Sequence, residues 1–500
     1  MKPSSHPPRS PFCPTGFFIL LLAAALLFPA VCSASPSITL SKKVGPPTSK
    51  ILVSGSGFEA NVGVDIYFDT KDKALVVTNG RGEFKNTEIH APRSTYPGQH
   101  WVTALERNND KGAQKPFLVQ NNWSQFHFDA DGTRLNPYEN VLNTKNVGNL
   151  GLKWTYTTGN VLYSSPTVAG GIVYVSCTDG NLYALDARNG GKLWSYFAGI
   201  FNSTPAVANG VAYAGSYDGS LYALNARTGA LLWAFATSAV FYSAPTVSDG
   251  VVYIGSWNGN VYAINAQTGT LLWSYDTGDW IWSSASVANG VVYLSTIDIG
   301  VYALNAHTGT LLWSFVPGNQ VQSSPTVADG RVYFGGFDGN VYALNADTGA
   351  VLWIYATGAS IDATPALANG VVYIGSRSLN ALDAATGALL WGRSAYGYVE
   401  SSAAVANGVV YVGSDDGNLY AVEAKTGSPL WSYTIGGALR SSPVVVDGDV
   451  YVEQFDFTVY AFRLKYGSRE AGSAKRPALK TLCPDLSLKG FQPVATVSRH

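Results

Sequence analysis

The chain has 500 residues, and its 32 lysines and arginines against 33 aspartates and glutamates give a formal net charge of -1. Only 13% of the residues are charged, which excludes a nucleic-acid footprint built on charge. The 53 glycines, 29 tyrosines and 13 tryptophans, with a single methionine, are typical of a turn-rich β protein.

Residues 1–34 predict an export signal. Lys2 and Arg9 give a positive start, 17–31 is an almost unbroken apolar run, and Cys32-Ser33-Ala34 supplies small residues for cleavage after Ala34. The alternatives are an uncleaved membrane anchor, for which the run is short, and a lipid attached to Cys32. We therefore expect a periplasmic, secreted or cell-surface protein without a membrane span in the mature chain. Cys177 and Cys483 either pair in an oxidising compartment or remain free thiols.

Residues 36–120 alternate short strands with turn residues. The clearest strands are 38–40, 51–53, 64–68, 74–77 and 101–105, and about seven such strands predict an immunoglobulin-like β-sandwich. The stretch Gly82-Glu83-Phe84, with the segment 97–104, resembles bacterial surface immunoglobulin-like modules. That resemblance implies a spacer or an adhesive module.

A longer repeat follows this module and is the strongest signal in the chain. Eight tryptophans recur at intervals of 38 to 40 residues: Trp154, Trp194, Trp233, Trp273, Trp313, Trp353, Trp391 and Trp431. Between them runs one template, Ser-Ser-Pro-Thr-Val, Asn-Gly or Asp-Gly, Val-Val-Tyr-x-Gly-Ser, Asp-Gly-Asn and Leu-Tyr-Ala-Leu-Asn-Ala-x-Thr-Gly-x-Leu-Leu-Trp. Each copy predicts four antiparallel strands, with two-residue hairpins such as Asp249-Gly250 and Asn258-Gly259 that need positive φ.

Such sheets bury both faces only by packing against copies of themselves around an axis. The first copy has only its last strand, 152–157, and the last copy, 441–464, lacks that strand. We therefore predict an all-β, eight-bladed β-propeller over residues 151–465 whose two ends complete one sheet. Residues 466–500 have no period and are predicted to be a loosely ordered tail.

The segment 184–194 and its copies resemble the tryptophan-docking motif of pyrroloquinoline-quinone (PQQ) repeat propellers. In that motif each indole stacks between neighbouring sheets and its N–H finds a carbonyl. The lead-in at 121–150, with Trp123-Ser124-Gln125-Phe126 and Asn136-Pro137, resembles the segment before the first such tryptophan in quinoprotein alcohol dehydrogenases. The resemblance implies the fold but not the chemistry, because these propellers serve as dehydrogenases and as noncatalytic scaffolds.

Positions that break the template are candidate functional residues. One variable position directly precedes Ser-Ser-Pro in each copy and is expected to ring one mouth of the central channel: Tyr163, Asn202, Tyr242, Trp282, Gln322, Asp362, Glu400 and Arg440. The neighbouring variable positions are expected to add aromatic surface there: Phe201, Phe241, Trp280, Tyr396, Tyr398 and Gln320. This ring is either a small-molecule pocket, with an aromatic wall facing charged groups, or a solvated rim.

We predict a noncatalytic binding or protein-interaction scaffold of the cell envelope that needs no cofactor. Its partners would be envelope proteins or a small ligand at the channel mouth. The alternative is a PQQ- and Ca²⁺-dependent alcohol or sugar dehydrogenase, in which Asn202 and Glu400 hold the metal and Asp362 is the base, beside Arg440 and Trp282. Adjacent cysteines, long insertions and a Cys-x-x-Cys-His haem site, however, do not occur in the sequence. A second alternative is a cell-surface adhesion protein.

Overall fold

The computed structural model describes residues 35–109, 111–237, 239–298, 300–393, 397–465 and 477. The predicted signal peptide and almost all of the predicted tail, with Cys32 and Cys483, lie outside these residues, as does Tyr396. In the described ranges the chain is all-β apart from a 3-10 turn at Val147–Asn149. Across these same ranges, no helix is long and apolar enough to span a membrane. Cys177 is a free, buried thiol whose pKa is raised by burial.

The first eight strands form two sheets around one core. They are β1 (Ser37–Leu40), β2 (Val44–Gly45), β3 (Lys50–Ser56), β4 (Gly63–Phe68), β5 (Lys71–Val77), β6 (Phe84–His90), β7 (Gly98–Glu106) and β8 (Gly112–Val119). The sheet β1-β3-β6 and the sheet β2-β8-β7-β4-β5 contribute to one shared cluster of buried side chains, with Ile51 from the first sheet and Ile66 and Phe117 from the second. The sequence pattern missed β6, because between Phe84 and Ile89 its residues are polar.

The repeat region forms a β-propeller. Among the described residues, its strands make eight four-stranded antiparallel sheets, and a short strand β9 (Leu135–Asn136) adds in parallel to the seventh. Sheet 1 contains β11 (Thr167–Ala169), β12 (Ile172–Ser176), β13 (Asn181–Asp186) and β14 (Lys192–Phe197). Sheet 2 contains β15 (Ala206–Ala208), β16 (Val211–Gly215), β17 (Ser220–Asn225) and β18 (Leu231–Ala236). Sheet 3 contains β19 (Thr246–Ser248), β20 (Val251–Gly255), β21 (Asn260–Asn265) and β22 (Leu271–Asp276).

The remaining sheets repeat this order. Sheet 4 contains β23 (Ser286–Ala288), β24 (Val291–Ser295), β25 (Val301–Asn305) and β26 (Leu311–Phe315). Sheet 5 contains β27 (Thr326–Ala328), β28 (Arg331–Gly335), β29 (Asn340–Asn345) and β30 (Val351–Ala356). Sheet 6 contains β31 (Ala366–Ala368), β32 (Val371–Gly375), β33 (Leu379–Asp383) and β34 (Leu389–Arg393). Sheet 7 contains β35 (Ala404–Ala406), β36 (Val409–Gly413), β37 (Asn418–Glu423) and β38 (Pro429–Thr434). Sheet 8 contains β39 (Val444–Val446), β40 (Asp449–Gln454), β41 (Thr458–Leu464) and β10 (Leu150–Thr157).

The ring of sheets is closed. Each innermost strand contacts the innermost strand of the next sheet, and β11 contacts both β15 and β39. Sheet 8 joins the two ends of the region, since β10 pairs with β41 in a register that sets Leu152 opposite Phe462 and Thr155 opposite Tyr460. This is the pairing that the phase of the repeat predicted.

The two hairpins within each sheet use different turns. In sheet 3 the first hairpin has Asp249 at φ 47° and Gly250 at φ 79°, as the sequence predicted. In the second hairpin only Gly259 has a positive φ, 81°, so the prediction of two such residues there was wrong. The reason is a local hydrogen bond: Oδ1 of Asn258 accepts the N–H of Asn260 at 3.0 Å, and this side-chain turn closes the hairpin without a positive φ at Asn258.

The repeated tryptophans link neighbouring sheets. Seven indole Nε1 groups donate to the carbonyl of the alanine in the next sheet's Asn-Ala-x-Thr-Gly or equivalent segment at 2.8 to 3.2 Å, and Trp431 donates to Leu150 at 3.1 Å. Each of the first seven rings lies on the glycine of that segment: a Cβ at Gly190 would be 2.7 Å from the ring of Trp154. Glycine therefore satisfies two requirements at this position: the turn needs a positive φ, which is 73° at Gly190, and the ring leaves no room for a Cβ.

The second residue of the Ser-Ser-Pro motif is a serine or threonine in seven of the eight sheets, and its hydroxyl links neighbouring sheets around the axis. We call this set of hydrogen bonds the serine belt. In seven of the eight steps the hydroxyl accepts the N–H of the equivalent residue in the preceding sheet at 2.9 to 3.2 Å: Ser165 to Thr204, Ala244 to Ser284, Ser284 to Ser324, Ser324 to Thr364, Thr364 to Ser402, Ser402 to Ser442 and Ser442 to Ser165. The remaining step, from Thr204, meets Ala244, which has no hydroxyl.

Candidate ligand site at the open end of the channel

The lead-in segment closes one end of the channel. It passes the eight sheets in order, and the N–H groups of six inner-strand residues donate to its carbonyls: Val168 to Trp123, Val207 to Ser124, Val287 to Ala130, Val327 to Asp131, Leu367 to Thr133 and Val405 to Arg134. In sheet 3 the acceptor is the side chain of Gln125, and in sheet 8 Asn136 donates to Val445. Almost all of these contacts are made by main-chain atoms, which the sequence pattern does not reveal. The sequence therefore showed that the lead-in resembles the equivalent segment of quinoprotein dehydrogenases, but not its path across the sheets. We call this end the closed face.

Arg134 fixes the lead-in from within the channel. Its side chain is fully buried and donates to the carbonyls of Phe126, Ala403 and Pro443, at 2.5, 2.8 and 3.2 Å. The guanidinium also lies over the rings of Trp123 and Phe126, 5.5 and 4.8 Å from their centres. Burial lowers the pKa of Arg134 to about 9, so the group remains charged at neutral pH.

The opposite end, which we call the mouth, is formed by the residues before the Ser-Ser-Pro motifs and by the hairpins between the second and third strands. The structure places all eight predicted ring residues there, half-buried to exposed. Phe201 and Phe241 are instead completely buried, so the expectation that they add surface was wrong. They occupy an apolar position that packs between sheets; a Cβ at Gly215 would lie 2.6 Å from Phe241.

A second set of variable residues lies beside the ring, directly after the second strand of each sheet. These residues are Thr178, Tyr217, Trp257, Ile297, Phe337, Arg377, Asp415 and Phe455. Their main chain pairs with the segment that leads into the ring residue; the N–H of Tyr217, for example, donates to the carbonyl of Ile200 at 2.8 Å. The sequence analysis missed them, although the varying residue between Gly-Ser and Asp-Gly in the template marks the position.

Aromatic rings from both sets form a wall over sheets 2 to 4. Tyr242 stacks on Trp257 and on Trp282, with ring centres 4.5 and 5.1 Å apart. Trp257 is nearly parallel to Trp280, at 5.3 Å and 10°, and Tyr217 tilts against Tyr242 at 4.8 Å. Trp280 is 55% exposed, so the stack ends in an open ring face.

Three shielded polar atoms in this aromatic wall have no hydrogen-bond partner. They are Oδ1 of Asn202 and Nε1 of Trp257 and of Trp282. The Nδ2 of Asn202 donates to the hydroxyl of Tyr217 at 2.7 Å, which leaves Oδ1 as the free acceptor of that amide. Unpaired groups of this kind are costly and are expected where a ligand completes the hydrogen bonding.

Charged residues occupy the mouth over sheets 6 to 8. Arg440 pairs with Glu400 at 3.0 Å and with Asp415 at 3.3 Å. Burial raises the pKa of Asp362, an effect that the nearby charge of Arg440 opposes. Burial likewise raises the pKa of Glu400. The ring residues thus separate into an aromatic side and a charged side. Tyr163, tilted against Phe455, lies between them, and Gln322 is half-buried in sheet 5.

The mouth as a whole is strongly acidic. Among the described residues, its loops carry two arginines, Arg377 and Arg440, and eleven carboxylates: Asp179, Asp218, Asp276, Asp279, Asp298, Asp338, Asp362, Glu400, Asp415, Asp416 and Asp456. The closed face of the same sheets is nearly balanced. It carries eight carboxylates, Asp186, Asp249, Asp329, Asp347, Asp383, Glu423, Asp447 and Asp449, and nine cations, Lys153, Arg188, Lys192, Arg227, Arg331, Arg393, Lys425, Arg463 and Lys465.

The predicted calcium ligands belong to different sheets and already have partners of their own. Asn202 belongs to the mouth at sheet 2 and Glu400 to the mouth at sheet 7, where Arg440 pairs with its carboxylate. Throughout the described ranges, no three His, Cys, Asp or Glu side chains are grouped so that they could hold a metal ion. A hard cation needs several converging oxygens, so these residues do not fit a PQQ–Ca²⁺ site of the expected composition.

The sandwich sits on the closed face. Asn140 of the lead-in donates to the carbonyls of Arg93 and Thr95, at 3.2 and 2.7 Å. A cavity of 440 Å³ lies in this junction, lined by Pro47, Arg93, Tyr138 and Asn407 among others. The sandwich therefore leaves the mouth uncovered.

Two family models match the chain. One, described as outer membrane protein assembly factor BamB, matches residues 197–283, 277–396 and 375–470. The other, described as the β-propeller domain of glucose, ethanol and alcohol dehydrogenases, matches residues 123–200. These matches confirm the PQQ-repeat resemblance.

Individual relatives share only part of their sequence with the chain. The 1-butanol dehydrogenase (cytochrome c) of Thauera butanivorans is 32% identical over 82 residues, which are 16% of this chain and 12% of that protein. The quinohemoprotein alcohol dehydrogenase of Comamonas testosteroni is 31% identical over 104 residues, 20% of this chain and 14% of that protein. The chain thus spans less than a sixth of the length of these relatives.

Solved structures agree on the fold. The Comamonas testosteroni enzyme superposes with a TM-score of 0.61 at 19% identity, over 70% of this chain and 81% of that one. BamB from Moraxella catarrhalis superposes with a TM-score of 0.55 at 19% identity, over 63% of this chain and 99% of that one. Since the matches of the first family model together cover residues 197–470, more than half of the 500, the chain belongs to the BamB-type family of PQQ-like repeat β-propellers.

Proposed function

We propose that this chain is an exported, eight-bladed propeller of the cell envelope that binds a partner at the mouth of its channel and catalyses no reaction. In this proposal residues 36–120 are an immunoglobulin-like spacer, 121–150 the closing lead-in and 151–465 the propeller. The observation that carries the proposal is the difference between the two ends of the channel. One end is filled by main-chain hydrogen bonds to the lead-in, while the other presents stacked rings and unpartnered polar atoms.

Membership of the BamB-type family supports the scaffold function and the envelope location, since that family model is described as an outer membrane assembly factor. The chemistry of the mouth supports binding as well. Aromatic side chains with a few convergent polar groups are the usual composition of a recognition site.

The test is capture of envelope proteins by the purified full chain and by Trp280→Ala, which shortens the aromatic wall. Tyr96→Ala is the matched control, because Tyr96 is 57% exposed on the sandwich and Trp280 is 55% exposed at the mouth. We expect Trp280→Ala to lose a captured partner that Tyr96→Ala retains. If both variants capture the same proteins as the unaltered chain, the mouth is not the binding site.

A PQQ- and Ca²⁺-dependent alcohol or sugar dehydrogenase is the second candidate. The match of residues 123–200 to the dehydrogenase family model favours it, and similarity to dehydrogenases leaves the expectation of no cofactor without support. The separation of Asn202 from Glu400 and the ion pair of Glu400 weigh against it. Addition of PQQ and Ca²⁺ to the protein, followed by absorbance and by dye reduction with a panel of alcohols and sugars, decides between the two. Bound quinone with substrate-dependent dye reduction would establish the dehydrogenase.

A further inference from the structure

The distribution of charge over the propeller is uneven in a way that its composition does not require. The mouth has eleven carboxylates and two arginines, an excess of nine negative charges, whereas the closed face has eight carboxylates and nine cations. The whole chain has a net charge of only -1. Carboxylates concentrated around one opening create a field that attracts cations before contact.

The two arginines of the mouth leave most of this charge uncompensated. Arg440 is held by Glu400 and Asp415, and Arg377 lies against the ring of Tyr398, 5.8 Å from its centre. Asp362 is half-buried in the same part of the mouth, and burial raises its pKa. The remaining eight carboxylates belong to the loops of seven sheets, all except sheet 6.

That distribution favours an extended partner. A small monovalent cation would meet only one or two of the carboxylates, whereas a chain crossing the mouth meets several at once. The open face of Trp280 suits an arginine or lysine side chain. The unpartnered atoms of Asn202, Trp257 and Trp282, one acceptor and two donors, lie beneath this surface, and a peptide would reach them only once the aromatic side chains above them shift.

We propose that the mouth docks a basic polypeptide segment, rich in arginine or lysine, that lies across the acidic loops and stacks one cationic side chain on the aromatic wall. This proposal rests on the proposed scaffold function and names the class of its partner.

The probes are a synthetic peptide of alternating arginine and glycine, a glutamate–glycine peptide of the same length, and spermine as a polycation without peptide groups. Binding to the full chain is measured by calorimetry over a series of salt concentrations. We expect the arginine peptide to bind, to weaken as salt is added, and to bind more tightly than spermine. The glutamate peptide is expected not to bind.

A pair of matched variants locates the site. The mouth variant combines Asp218→Asn, Asp298→Asn and Asp362→Asn, and the control combines Asp249→Asn, Asp329→Asn and Asp347→Asn on the closed face. Both change the net charge by the same amount and retain the shape of each side chain. We expect the mouth variant to bind the arginine peptide about tenfold more weakly and the control to bind within about twofold of the unaltered chain.

Equal loss in the two variants, binding of the glutamate peptide, or spermine binding as tightly as the arginine peptide would each overturn the basic-segment proposal. If the arginine peptide fails to bind while Trp280→Ala still loses an envelope partner, this inference fails and the scaffold function stands. If neither effect is seen, both fail.

Discussion

Glu453 occupies a position where the other seven sheets have only glycine or serine: Ser176, Gly215, Gly255, Ser295, Gly335, Gly375 and Gly413. Its side chain is completely buried between sheet 8 and sheet 1. Oε2 accepts a hydrogen bond from Ser164 at 2.8 Å, and Oε1 has no partner. Burial raises the pKa of Glu453 from 4.5 to about 8, so the carboxyl is neutral at pH 7.

The sign of the resulting pH dependence follows from proton binding. Between pH 4.5 and pH 8 the folded chain holds a proton on Glu453 that the unfolded chain releases, so the free energy of unfolding falls as the pH rises through this window. A shift of this size corresponds to at most about 5 kcal/mol, and we expect about 3 to 4 kcal/mol to be measured. Glu453→Gln preserves the acceptor for Ser164 and removes the ionisation.

The assay is urea unfolding followed by tryptophan fluorescence at several pH values. The variant should gain stability relative to the unaltered chain as the pH rises, with the difference growing by about 3 to 4 kcal/mol across the window. Asp347→Asn, which removes an exposed carboxylate on the closed face, is the control and should show no such growth. Parallel stability curves for the unaltered chain and Glu453→Gln would refute the reasoning.

Three further predictions concern the propeller frame. Ala244→Ser supplies the missing acceptor for the N–H of Thr204 in the serine belt and should raise the free energy of unfolding by about 0.5 to 1 kcal/mol in urea titration; an unchanged midpoint would contradict this. Gly309→Ala should lower the free energy of unfolding by more than about 2 kcal/mol, because the added Cβ would lie 2.6 Å from an indole ring. Gly330→Ala is the control, since Gly330 also has a positive φ but faces open space, and it should cost about 1 kcal/mol. Equal losses would show that the ring contact does not matter. Arg134→Met should cost about 3 kcal/mol because three buried carbonyls lose their donor, and hydrogen exchange should rise selectively at the inner-strand amides bonded to the lead-in.

The fold was predictable because its determinants are local and repeated. Each repeat contains its own turns, its tryptophan and the glycine on which the previous tryptophan lies, so periodicity alone gives the sheet. The phase of the repeat relative to Trp154 also predicted that β10 would complete the sheet of β41. In the sandwich, where strands such as β6 are polar on the solvent side, the same reasoning found only part of the strands.

The candidate site was predictable only in part. The ring residues were identified because they precede a fixed motif, but Trp257 and Tyr217 enter the mouth from a different hairpin and were missed. The proposed metal ligands stay a prediction. Asn202 and Glu400 match in chemical type, yet they belong to sheets 2 and 7, and the ring geometry holds such positions apart.

The division of tasks between the two ends of the sheets explains why the mouth is free to vary. Stability is supplied by indole contacts, the serine belt and the main-chain bonds of the lead-in, none of which depends on the residues of the mouth. Five of the carboxylates there do support their hairpins, because each accepts a turn N–H and a tyrosine hydroxyl: Asp179, Asp218, Asp338, Asp416 and Asp456. The neutral Asn258 makes equivalent contacts in sheet 3, so the hairpin does not require the negative charge, and repulsion among the carboxylates opposes the fold. The excess of negative charge at this end therefore goes beyond what the hairpins require, and a cationic partner would account for it.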